Sequence, residues 1–276
     1  METPYDPDYI GARETLLDAV EALGAHSDAV ILVGAQATYV HTEDEGASFA
    51  LSPFTYDADM ALDPRLLGTT PTILEAMNRA GFRLGKQPGL YKRDGHSQVD
   101  LLVPRAVGGP GRRAARLGVH GNRAAMKVHG LEGALVSHAR RKITSLTPDA
   151  DRSCILKVAG RAALLVAKVH KIWERIEGPD ARRRVGLAKD AFDIYRLLRA
   201  IDTADMASEF DLLASHEVSS QVTSDALSMF RSLFGTASGT GTQLVARAVH
   251  GLEDPDFITE SSVALSQDLI EATTPP

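Results

Sequence analysis

The chain reads as an α/β (α+β) protein, a mixed β-sheet core with flanking helices followed by a helical C-terminal lobe. Three observations predict it. Short apolar strand patterns alternate with helical stretches as far as about residue 145. From Ala162 the apolar period becomes 3.6 and stays there. A 276-residue chain that is 44% hydrophobic can bury one large core or two smaller ones. We place the boundary near 145–160, with residues 1–150 as the α/β domain and 151–276 as the helical domain.

Residues 11–23 have helical periodicity, with Leu16, Leu17, Val20 and Leu23 on one side. Residues 28–33 form a buried-strand pattern, and Gly34 permits a sharp turn into a helix over 35–42. The acidic stretch 43–53 reads as a loop and 54–62 as a strand. A helix over 70–80 takes Thr70 as its cap and Pro71 in its first turn. A hairpin-like region from Phe82 to Tyr91 leads to a strand over 98–103, stopped by Pro104, and the Gly-rich 108–111 is a loop. Residues 123–146 read as short strands and a loop. Helices follow over 160–176 and 186–200, separated by Gly178-Pro179-Asp180. An acidic helical remainder runs to about 270, broken by a loop at 235–242.

Cys154 is the only cysteine, which excludes a disulfide framework and a thiolate metal cluster. The N-terminus has no apolar signal core, and no apolar run approaches the roughly 20 residues of a membrane span. These features predict a cytoplasmic protein, with no membrane partner and a monomeric state favoured. The net charge of −6 hides an uneven distribution. Residues 105–143 hold nine Lys/Arg against Glu132 alone, and 157–200 hold eleven against five acids. Residues 201–276 hold two against twelve. A basic middle suits a polyanion on one side, and solvated helix faces are the plainer alternative.

The segment Tyr56-Asp57-Ala58-Asp59-Met60 carries the chemistry. Strand side chains alternate, so Asp57 and Asp59 leave one face and Tyr56, Ala58 and Met60 the other. Two like charges one strand-step apart raise each other's cost of ionisation, and a divalent cation removes that cost. Oxygen ligands at this spacing suit Mg²⁺, or Mn²⁺, shared with substrate phosphates. Asp100, alternating with Val99, Leu101 and Val103, completes a three-carboxylate set for the metal; the alternative is a strand-end residue bonded to a loop. Backbone N–H groups at Gly34 and Ala35 can take phosphate oxygens, although a glycine after a strand is usually only a turn.

Lys168, Lys171 and Arg175 fall at i, i+3 and i+7 on one helix face, and Lys189, Asp190 and Asp193 lie on the next helix. Antiparallel packing would pair Lys168 with Asp190, leaving Lys168 to meet a β- or γ-phosphate as a point charge, with Lys171 beside it. The alternative is an ordinary interhelical ion pair. His170 reads as polar surface, and Trp173 and Tyr195 as packing groups.

Val33-Gly34-Ala35-Gln36-Ala37, Thr55-x-Asp57-x-Asp59 and Val99-Asp100-Leu101 together resemble the nucleotidyltransferase superfamily core. Lys168-Val169-x-x-Ile172-x-x-Arg175 followed by Lys189-Asp190-x-x-Asp193 resembles one branch, the AbiEii/MenT toxins of toxin–antitoxin systems. The resemblance covers roughly residues 28–200. It implies transfer of a nucleoside monophosphate from an NTP, preferably a pyrimidine nucleotide, to the 3′ end of tRNA, and a separately encoded antitoxin. It makes Asp57 and Asp59 the metal-binding pair, Lys168 the essential lysine and Asp190 the essential distal aspartate. One position departs: where the superfamily has Gly-Ser or Gly-Gly, this chain has Gly34-Ala35, and alanine offers phosphate only its backbone N–H. A small-molecule nucleotidyltransferase and a degenerate, protein-binding nucleotidyltransferase are the competing readings.

Overall fold

The computed structural model describes residues 5–43, 49–178 and 186–274. Helix α1 (Pro7–Ala22) begins where Asp6 accepts from the Asp8 N–H at 2.8 Å and Pro7 takes the first turn. Strand β1 (Val30–Leu32) follows, and helix α2 (Gly34–Thr42) leaves its C-terminal end. Strand β2 (Asp57–Leu62) carries the paired carboxylates at its start. Helix α3 (Ile73–Arg79) is two residues shorter at its N-terminus than the expected cap at Thr70 allows. Thr72 is the cap instead. Its hydroxyl accepts from Glu75 N–H and Glu75 answers the Thr72 N–H, a capping box that Pro71 has no part in.

Strands β3 (Arg83–Leu84) and β4 (Leu90–Lys92) make the expected hairpin, and β5 (Gln98–Pro104) runs beside β2. The ambiguous region contains β6 (Met126–Val128) and β7 (His138–Thr144). Strand β8 (Ser153–Ala159) was not legible in the pattern. Leu156 and Val158 point inward, but Ile155 points out and is exposed, which blurs the alternation.

The sheet order is β3-β4-β5-β2-β1-β8-β7, with β6 pairing β5 beyond β4. It is mixed and open: β2 and β5 are parallel, as are β1 and β8, while β1 and β2 are antiparallel. The α/β unit therefore runs through Ala159, past residue 150, and the helical part starts with α4 (Arg161–Glu177).

Helices α4 and α5 (Leu187–Ala200) stand where the period predicts them; Gly178 ends α4, and Pro179 and Asp180 lie outside the described residues. Four more helices follow: α6 (Thr203–Ser215), α7 (Ser220–Phe234), α8 (Thr240–Ala248) and α9 (Pro255–Ala272). One buried apolar cluster runs from strand residues such as Ile31, Met60 and Leu101 into the lobe through Leu165, Phe192 and Phe230. The lobe is thus packed onto the sheet rather than tethered to it. Among the described residues no helix is long and apolar enough to cross a membrane.

Candidate functional site

The parallel register of β2 and β5 sets Asp59 directly beside Asp100 and Asp57 beside Gln98. Asp57, Asp59 and Asp100 each offer a carboxylate oxygen, and the three oxygens lie within 4.8 Å of one another. The opposite faces of the same strands hold Ala58, Met60, Val99 and Leu101, all fully buried. The alternation expected of 57–60 thus puts apolar side chains into the core and charges into one concave place. Burying the apolar face is what fixes the register, because a one-residue slip would turn the aspartates inward.

Two of the three carboxylates are held by hydrogen bonds. The buried Thr55 hydroxyl donates to Asp57 Oδ1 at 2.7 Å, and Gln98 donates to Asp100 Oδ2 at 3.0 Å. Gln36 donates to the Asp57 carbonyl at 3.1 Å and is itself gripped by Arg13 at 3.0 Å. Thr55 and Gln36 stand in the motifs quoted above without an assigned role, and Arg13 was not singled out from the sequence. Only Thr55, two residues before Asp57, had a detectable signal, since Ser and Thr hydroxyls commonly bond their neighbours.

Burial lifts the Asp59 pKa well above the usual carboxylate range, and the charges of Asp57 and then Asp100 push it further. Burial and Asp57 likewise raise Asp100 to about 6, against the Gln98 hydrogen bond. Lys171 and Lys168 oppose the rise at Asp59, and Lys171 does so at Asp100 too, without overcoming it. The protein therefore leaves a deficit of positive charge among three oxygen donors. That donor set fits a hard divalent cation such as Mg²⁺ or Mn²⁺.

Gly34 is required where it stands. Its φ is +70°, and a Cβ there would collide with the Asp59 carboxylate and its Cβ. The turn also returns Val33 N–H to the Asp59 carbonyl at 3.1 Å. Helix α2 has no side-chain cap at its N-terminus, so the free N–H groups at Gly34 and Ala35 open beside Asp59. The Ala35 methyl is buried with Tyr9 and Tyr39.

Helices α4 and α5 do pack together, and Lys168 forms the expected ion pair with Asp190 while taking Asp193 as a nearer partner. Lys168 Nζ bonds Asp193 Oδ2 at 2.7 Å and stands 3.7 Å from Asp190. Asp190 is also bonded by Lys171 at 2.9 Å and Arg175 at 3.2 Å, and Lys189 reaches Asp193 at 3.4 Å. Helical geometry explains the added partner: Asp193 lies one turn further along α5, on the same face as Asp190. Burial opposes ionisation of Asp190, but Lys171 and Lys168 outweigh it and hold the carboxyl at about 2. Burial also opposes the charge on Lys168, yet Asp193 and Asp190 raise its pKa. The Lys168 side chain is 5% exposed and that of Lys171 is 44% exposed.

His170 is not polar surface. It is buried, bonds the Val222 carbonyl at 2.8 Å and meets His129 edge-on at 4.7 Å. Trp173 and Tyr195 are packed on the core, as expected. The basic segments divide. Arg105, Arg112, Arg113 and Arg116 follow the end of β5 remote from Asp100, and Lys127 is turned inward onto the Gly109 and Gly111 carbonyls. Arg140, Arg141 and Lys142 are exposed on the edge strand β7. Arg182, Arg183 and Arg184 lie outside the described residues. The chain matches no protein-family model and no curated protein.

Proposed function

We propose that this protein transfers a nucleoside monophosphate from an NTP to a hydroxyl of RNA, with the tRNA 3′ end as the expected acceptor. One observation carries the proposal. Three strand carboxylates whose mutual repulsion and burial outweigh the nearby lysine charges converge beside a glycine-opened helix N-terminus and an exposed lysine.

A divalent cation held by Asp57, Asp59 and Asp100 would supply charge neutralisation on the triphosphate. The N–H groups of Gly34 and Ala35 would take phosphate oxygens. Lys171, oriented by Asp190, is the reachable cation for the outer phosphates, while Lys168 holds Asp193 and Asp190 in place. Thr55 and Gln98 fix the carboxylates before substrate arrives, so less reorganisation is needed at reaction. The acceptor oxygen bonds to the α-phosphorus, the bond to the β-phosphate breaks, and pyrophosphate leaves with the electron pair. The hydroxyl proton passes to the carboxylate cluster.

The toxin reading adds a partner, an antitoxin that prevents this reaction. Expression alone should then slow growth, and Asp59→Ala should abolish that effect. The chemical test is incubation with each labelled NTP and total RNA, with and without Mg²⁺. Labelled RNA only in the presence of the metal supports the proposal. The second reading is transfer to a small hydroxyl compound. A harmless wild-type chain that labels a small molecule and no RNA would decide for it.

A further inference from the structure

A cavity of about 770 Å³ lies between the first turns of α1 and the starts of β2 and β5. Its walls include Tyr56, Asp57, Gln98, Lys92, His96 and Glu14. It meets the carboxylate cluster at Asp57. Gly34, Lys168 and Lys171 are not among its walls, so it approaches Asp57 from another side than the triphosphate groups do. Its volume holds a single nucleotide and not a duplex.

Tyr56 lies in a bend just before β2, next to Asp57, and both residues line this cavity. Tyr56 is 60% exposed, an unusual place for a large ring. It is steadied by Phe54, edge-on at 4.5 Å with 83° between the planes. An open aromatic face beside a reactive carboxylate suits an unpaired base, because every base can stack on it whatever its sequence. Lys92 and His96 are both exposed; Lys92 gives the same cavity a cation for one phosphate, and His96, whose Nδ1 accepts from Arg93 at 3.1 Å, stands beside it as a polar group. Glu14 does not oppose this strongly: it is engaged by Arg152 at 3.4 Å and by the Ser145 and Thr147 hydroxyls. Asp8 is the remaining acid of the wall.

We infer that this cavity is the acceptor subsite and takes the unpaired 3′-terminal nucleotide of a single-stranded RNA end. The base stacks on Tyr56, the ribose hydroxyl reaches Asp57, and the adjoining phosphate faces Lys92 and His96. The inference rests on the nucleotidyl transfer proposed above and adds where and how the acceptor is held. A strand end held in this way needs one basic wall, not a broad basic face.

The test uses the full chain, a short single-stranded RNA oligonucleotide and a blunt duplex of the same sequence. Wild type should extend the single strand and spare the duplex. Tyr56→Ala should raise the KM for the oligonucleotide about tenfold, the loss expected for one base stack. Tyr56→Phe should restore it, and neither variant should change the thermal shift given by NTP with Mg²⁺. Oligonucleotide binding without NTP, read by fluorescence anisotropy, separates the two layers. If Tyr56→Ala binds the oligonucleotide as wild type does, or the blunt duplex competes equally, the subsite is overturned. So it is if only small hydroxyl or amino compounds are labelled. Absence of any Mg²⁺-dependent NTP shift in wild type would instead overturn the transfer reading, whatever the anisotropy shows.

Discussion

Two clusters of charge face each other across this molecule and are built on opposite plans. Between α4 and α5, Lys168, Lys171, Arg175 and Lys189 meet Asp190 and Asp193 in a closed set of ion pairs. On β2 and β5, Asp57, Asp59 and Asp100 meet one another, and only hydroxyl, amide and distant lysine groups answer them. The pKa directions register the difference. The helix carboxylates are held down and two of the strand carboxylates are pushed up. In the helix cluster four cations answer two carboxylates, so both carboxylates are satisfied without a ligand. Unpaired charge of one sign is incomplete without a ligand, and the surplus cations of the first cluster lean toward the surplus anions of the second.

The largest effect should come from the incomplete cluster. Asp57→Ala or Asp59→Ala should cut nucleotidyl transfer at least about 10³-fold, the scale of losing several kcal/mol of charge stabilisation. The same variants, free of metal, should melt a few degrees higher than wild type, since each removes like-charge repulsion worth about 1 kcal/mol or more. Activity assays and metal-free melting curves check both halves. A variant that keeps full transfer breaks the comparison at its centre.

The closed cluster should behave in the reverse way. Lys168→Ala leaves Asp193 buried beside a lost partner and should cost about 3–5 kcal/mol of stability. Lys171→Ala removes an exposed lysine from the rim and should cost about 1 kcal/mol or less. It should nonetheless raise the KM for NTP about tenfold, because Lys171 is the reachable cation near Asp59. Denaturant melts and NTP titrations of the two variants separate the roles. If Lys171→Ala is the one that unfolds, the assignment of the helix face is wrong.

Much of this was legible in the sequence, and the reasons are specific. Asp57, Asp59 and Asp100 were found because period-2 alternation is a strong local rule and carboxylates break an apolar face visibly. The α4 and α5 helices were found because a sustained 3.6 period survives any tertiary context. What failed depends on contacts that no local pattern encodes. Strand β8 was hidden by the outward Ile155, tolerated because β8 is flanked by β7 near the sheet edge. Spacing did place Lys168 beside Asp190, but left open that Asp193, one turn on, is its nearer partner. His170 was misplaced because its partner, the Val222 carbonyl, comes from a helix 52 residues later. Thr72 was displaced by the more conspicuous Thr70-Pro71, although the Thr72-x-x-Glu75 spacing was there to read.

The most direct reading of the unanswered charge is the pH dependence of stability without metal. An aspartate in the unfolded chain titrates near 3.9, while Asp100 in the fold titrates at about 6. Below about pH 4 both states are protonated and Asp100 takes nothing from stability. As pH rises, the unfolded chain gives up the proton first, and the folded chain must either keep it or bear the charge. Stability is therefore lost as pH climbs through about 6, by about 2–3 kcal/mol for a shift of this size. Asp59, raised in the same direction, adds to the loss. Asp190 works in the opposite sense, but it is held at about 2, so its window lies below pH 4 and does not overlap. Metal-free protein should thus melt lower at pH 8 than at pH 5, and Asp100→Asn should flatten that difference. Mg²⁺ should restore stability at pH 8 in wild type far more than at pH 5, where protons already occupy part of the site. A metal-free chain that is equally stable at both pH values, and indifferent to Asp100→Asn, would mean that these carboxylates are satisfied by the protein itself.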